Sequence, residues 1–119
     1  MRALPHPDRD QIELAGVLEA LSDPTRLEIV LQLADSAELR CGTFLHLGSK
    51  TNLTYHFAKL RAAGVTHARA EGTSRFISLR REDLDARFPG LLDTVIKAAR
   101  SAAKKREPAS GRAVRKAAR

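Results

Sequence analysis

At Gly64 the spacing of apolar side chains changes, and few small folds accommodate that change. Upstream, Leu53, Phe57 and Leu60 recur at i, i+4 and i+7, with Ala63 beyond, which is the spacing of a helix with one buried face. Downstream, Val65 and the alternation from Phe76 to Leu79 flank "EGTS", where Glu71-Gly72 supplies the turn of a two-stranded hairpin. Ser49 fits ahead of the helix as its N-cap, and Gly64 fits behind it as its stop. A helix joined to a hairpin this short needs other helices to bury both.

The rest of the chain supplies them. From Asp10, the positions Ile12, Ala15, Leu18 and Leu21, with Leu14 and Val17 beside them, predict a first helix. "SDPTR" interrupts it. Asp23 caps a second helix with Pro24 in its first turn, running through Leu27, Ile29, Val30 and Leu33 to about Asp35. Glu38–Leu47 predicts a short third helix, and "LGS" a tight turn before the fourth. From Arg81, Leu84, Phe88, Leu91, Leu92, Val95, Ile96 and Ala99 form the stripe of a last helix, kinked or restarted at Pro89. Residues 1–9 read as a flexible arm, 10–103 as the folded domain, and 104–119 as a basic disordered tail with almost no large apolar residue. The order is helix, helix, short helix, turn, helix, hairpin, helix. The fold class is mainly α with a small β-hairpin wing, a winged helix-turn-helix.

The fourth helix spends its solvent face on poor helix formers. Lys50, Thr51, Thr54, Tyr55 and Lys59 share that face, with Arg61 nearby and Asn52 nearer the turn. Short hydroxyl side chains suit contact with base edges, and the threonine methyl can meet a thymine methyl. In a helix-turn-helix this is the element that enters the major groove. Arg69 and Arg75 flank the hairpin turn, where they could straddle a phosphate ridge. Charge follows the same division: residues 50–81 carry +6 and 97–119 carry +8, whereas 1–49 carry −4 and 82–96 carry −3. Two basic blocks in a chain of net charge +7 point to a polyanion, and the combined footprint points to double-stranded DNA.

The residues argue against other classes. No phosphate-cradling glycine loop, acid/base pair or nucleophile set is present, so no enzyme is expected. No apolar run approaches a membrane span, the N-terminus lacks a secretory signal, and the single cysteine, Cys41, fits a reducing cytoplasm, so the expectation is a cytoplasmic, nucleoid-associated protein.

The stretches "LEALSDPTRLEIVLQL", "SKTNLTYHFAKLRAAGV" and "RAEGTSRFISL" resemble the ArsR/SmtB-type winged-helix regulators over about residues 12–100. That resemblance implies a bacterial homodimeric repressor of a palindromic operator, with Lys50, Thr51, Thr54 and Tyr55 at DNA-touching positions. It also implies a dimer interface through the first and last helices, to which Ile12, Leu14, Val17, Leu18, Leu91, Leu92, Val95 and Ile96 are assigned. An alternative is a winged-helix interaction subunit that works with a separate sensor protein. Many relatives sense thiophilic metals through paired cysteines near the third helix. Here "ELRCGTF" holds Cys41 alone, and the last helix offers Asp83, Asp85 and Asp93 without a histidine. No metal is predicted at those familiar sites and no cofactor is predicted. An unknown effector, or a non-standard metal site using His46 or His67 with a carboxylate, stays open. Cys41 beside Arg40 reads either as a redox switch with a depressed pKa or as a buried structural thiol.

Overall fold

Ile12 splits the first predicted helix. In the computed structural model, which describes residues 4–106, its backbone is extended (φ −75°, ψ 127°). It separates a single 3-10 turn, Arg9–Gln11, from helix α1, Leu14–Ala20. Tertiary contacts outweigh the helical spacing here. The Ile12 carbonyl accepts from the Arg87 guanidinium, and its side chain is buried against Gly64, far along the chain.

Helix α2, Pro24–Ala34, starts where the sequence places it, because the Asp23 carboxylate accepts from the Arg26 N–H at 3.1 Å and satisfies a first-turn donor. The predicted third helix is instead a two-residue strand β1, Leu39–Arg40, followed by a 3-10 segment, Cys41–Leu47. Strand pairing explains that difference: Leu39 lies opposite Ile77 and Arg40 opposite Phe76. Helix α3, Lys50–Ala62, is capped by Ser49, whose hydroxyl accepts from the Asn52 N–H at 3.1 Å. Gly64 ends it at φ +86°, a conformation only glycine takes without strain.

Strands β2, Thr66–Glu71, and β3, Ser74–Leu79, form the hairpin, and the sheet order is β1-β3-β2. The turn residues are Gly72 (φ +62°) and Thr73, one place beyond the predicted pair, since Glu71 still pairs with Ser74. The predicted last helix is two: α4, Arg81–Arg87, and α5, Leu91–Arg106, restarting after Pro89 and Gly90. α5 therefore runs three residues into the segment assigned to the tail, and residues 107–119 lie outside the described part.

One aliphatic core joins all of this. Ile29 and Leu33 of α2, Phe44, Leu53 and Leu60 of α3, Ile77 of the sheet, Leu84 of α4, and Leu92 and Ile96 of α5 are all buried together. Among the described residues no helix is long and apolar enough to cross a membrane. Residues 4–9, assigned to the arm, contact the domain. His6 Nε2 accepts from the Ala68 N–H at 3.0 Å and its ring stacks on His67, while the Pro7 carbonyl accepts from Arg80 at 2.8 Å. Arg9 closes the attachment on Asp83 at 2.7 Å.

Candidate nucleic-acid interface

α3 buries Leu53, His56 and Leu60 and turns its other side outward. Lys50, Thr51, Asn52, Thr54 and Tyr55 are exposed, Tyr55 at 56%. The Thr54 hydroxyl donates to the Lys50 carbonyl at 2.9 Å. Its proton is thereby spent on the helix, and the oxygen lone pairs and methyl face out, able to accept from a base or pack on a thymine.

The basic residues divide into held and unheld. Lys59 is half-buried, 3.6 Å from Glu19, with its ammonium 6.0 Å from the Tyr55 ring centre. Arg69 is clamped by Glu38 at 2.7 Å and Glu71 at 2.6 Å, its guanidinium also lying over Phe76. Those carboxylates push its pKa further up, and its guanidinium in turn holds that of Glu38 below the usual carboxylate range. Lys50, Arg61 and Arg75, by contrast, enter no ion pair among the described residues. Of the two arginines flanking the hairpin turn, Arg75 is thus the available one.

Sequence reasoning missed the residue that aims α3. Arg26, in "SDPTR", is 7% exposed. It donates to the Ala20 and Glu19 carbonyls at the end of α1 and lies 3.1 Å from His56 Nδ1 in α3. A charged group this deep needs such a partner set. The available signal was an arginine three residues after a capped helix start, which alone reads as surface.

Half of the assigned dimer residues belong to the protomer's own core. Ile12, Val17, Leu92 and Ile96 are buried within the chain. Their stripes are shared between the core and whatever lies outside. Leu14 (46% exposed) and Leu18 (47%) remain outward, one turn apart on α1, with Leu91 and Val95 half-buried.

Of the two readings of Cys41, the desolvated thiol fits its surroundings better than the depressed pKa. It is half-buried, and desolvation pushes the thiol up despite the opposing fields of Arg75 and Arg61. His46 is exposed beside Gln32, His67 is stacked on His6, and among the described residues no three His, Cys, Asp or Glu side chains gather.

A short 3-10 segment, a tight turn, an outward polar helix and a hairpin define a winged helix-turn-helix. No protein-family profile matches the chain. An uncharacterized HTH-type transcriptional regulator of Bacillus subtilis (strain 168), YceK, is 39% identical over 92 residues, covering 72% of this chain and 88% of that protein. Among solved structures, HlyU from Vibrio cholerae N16961 matches with a TM-score of 0.59 at 24% identity, over 71% of this chain and 88% of its own. An ArsR family transcriptional regulator matches at 0.56 with 17% identity, over 85% and 94%. The chain belongs to the HTH-type transcriptional regulators, and its fold is the winged helix that it shares with those two solved structures. It is a regulator and not an enzyme.

Proposed function

We propose that the protein is a homodimeric, sequence-specific repressor that reads a two-fold symmetric DNA operator with the outward face of α3. The observation that carries this reading is the polarity of that helix. Its apolar side is consumed by the core, while Thr51, Thr54 and Tyr55 are exposed. Lys50, Arg61 and Arg75, in no ion pair among the described residues, supply cations suited to the flanking phosphates. Thr51 and Thr54 are the base-reading residues, and Tyr55 reaches a base edge or a sugar. Lys59 and Arg69 have secondary roles, because DNA would have to draw them from Glu19 and from Glu38 and Glu71.

Pairing through Leu14 and Leu18, with Leu91 and Val95, would bury the largest apolar side chains left exposed on α1 and place two α3 helices in successive major grooves, about 34 Å apart. The test is selection of bound duplexes from a random pool, with the mass of the complex measured by sedimentation. Two chains on a palindromic site are expected. One chain on an asymmetric site, or no enrichment of any sequence, would overturn the proposal.

A further inference from the structure

A cleft of about 470 Å³ lies between the hairpin and the side of α3 that faces it. Clefts of this size hold small organic molecules. Its floor is apolar, built from Leu53, Phe57 and Ala58 of α3 and Ala68 and Ile77 of the sheet. Its wall carries Arg40, Lys50, Arg61 and Arg75, none of which enters an ion pair among the described residues. Arg69, the hairpin arginine that is already neutralised, does not line it.

Thr66 and Cys41 are also part of the lining. Thr66 is 2% exposed and brings a hydroxyl-bearing side chain to the lining. Cys41 also lines the cleft, but burial favours its neutral thiol, which makes it a soft wall rather than a thiolate.

This lining selects its ligand by chemistry. Four cations and a hydroxyl donor reject a metal ion and favour an anion. Arginine forks match a carboxylate in two-point geometry. The five-residue apolar floor gains nothing from inorganic phosphate but would cover an aromatic ring or a short alkyl chain. We propose that the cleft binds a small organic carboxylate with an apolar body, and that the bound anion displaces DNA. Displacement follows because Lys50, Arg61 and Arg75 are the cations that the proposed function assigns to phosphates, and this part of the inference rests on that reading. Each ligand then weakens the other by the same factor.

The test uses the full chain, first without DNA. Calorimetry with 1-naphthoate and octanoate, their uncharged amides and inorganic phosphate reads the cleft directly. At least one carboxylate is expected to bind at one site per chain, with its amide and the Arg75→Gln variant each at least tenfold weaker. Ala58→Leu, which fills the floor, should abolish binding. Since it could also disturb α3, exposed Arg75→Gln carries the decision if that variant does not fold. Equal binding of amide and acid, phosphate reproducing the carboxylate heat, or no heat with either acid would overturn the site. Anisotropy of a labelled duplex then reads competition, and the apparent DNA Kd should rise in proportion to carboxylate concentration. A duplex that stays bound at saturating carboxylate overturns displacement. A protein that binds carboxylate but never binds duplex sinks the DNA reading, and displacement with it, while leaving the cleft standing.

Discussion

Arg26 of α2 and His56 of α3 are joined in the interior, guanidinium Nη1 to ring Nδ1 at 3.1 Å, with less than a tenth of either residue exposed. The same guanidinium takes the Ala20 and Glu19 carbonyls. One side chain therefore ties the end of α1 to the middle of the helix proposed to read DNA, which fixes the angle at which that helix leaves the core. Removing it would take the Arg26 donors from the Ala20 carbonyl and the His56 ring nitrogen at once, while the Glu19 carbonyl keeps the Ser22 N–H and hydroxyl. Arg26→Ala is expected to cost about 2–4 kcal/mol of stability, read by denaturant unfolding. Arg26→Lys should recover only part of it, because one ammonium cannot span both helices.

Gly64 holds a second joint. Its φ of +86° is left-handed, and a Cβ there would come within 2.5–2.8 Å of the Ile12 side chain. Gly64→Ala combines backbone strain with that clash and is expected to lower stability by about 1–3 kcal/mol, again by denaturant unfolding. Gly42, whose added Cβ meets nothing within 4 Å, is the matched control, with a much smaller expected change on substitution by Ala.

The arm should undock in acid. His6 accepts the Ala68 N–H and faces His67, Arg61 and Arg80; burial first, then those charges, lower its pKa. The docked arm therefore favours neutral His6, while an undocked arm titrates near the ordinary value of about 6.5. Above that pH docking is intact. As pH falls below it, the undocked state binds protons first and docking is progressively lost, levelling off below the docked pKa. Exchange of the Ala68 amide should lose protection over that range, and the NMR midpoint of His6 should lie below 6.5. A midpoint at or above the ordinary value would show that the stack on His67 does not persist.

The two hairpin arginines should behave differently toward DNA. Among the described residues Arg75 enters no ion pair, whereas Arg69 is held by two carboxylates. Arg75→Gln is expected to reduce the slope of log Kd against log salt by about 0.9, the share of one phosphate contact. Arg69→Gln should change it less. Equal slopes for the two variants would mean that Glu38 and Glu71 release Arg69 on binding.

The parts of the fold legible in the sequence were those set by local chemistry. Asp23, Pro24, Ser49 and Gly64 act on backbone groups within four residues of themselves, so α2 and α3 began or ended where their caps predicted. The hairpin followed from the change of period. The parts missed depend on distant partners. Ile12 sits at helical spacing, yet Arg87 and Gly64 claim it in an extended conformation. Leu39 starts a plausible helix, yet Ile77 takes it into the sheet. Periodicity tells which face of a helix is apolar but not who covers it, which is why Ile12, Val17, Leu92 and Ile96 were assigned to a partner and lie in the protomer core. In the candidate interface, the outward positions Thr51, Thr54 and Tyr55 were legible because a polar face needs no partner to be polar. The clamping of Arg69 by Glu38, 31 residues away, was not.

The central claim is that the outward face of α3 reads base sequence. It is tested most directly by the ratio of affinities for a selected duplex and a random duplex of equal length, at one salt concentration, for the wild type and Thr54→Ala/Tyr55→Ala. The expected result is a fall of at least about tenfold in that ratio, with random-duplex affinity and thermal stability nearly unchanged. A folded double variant that discriminates as well as the wild type would contradict it.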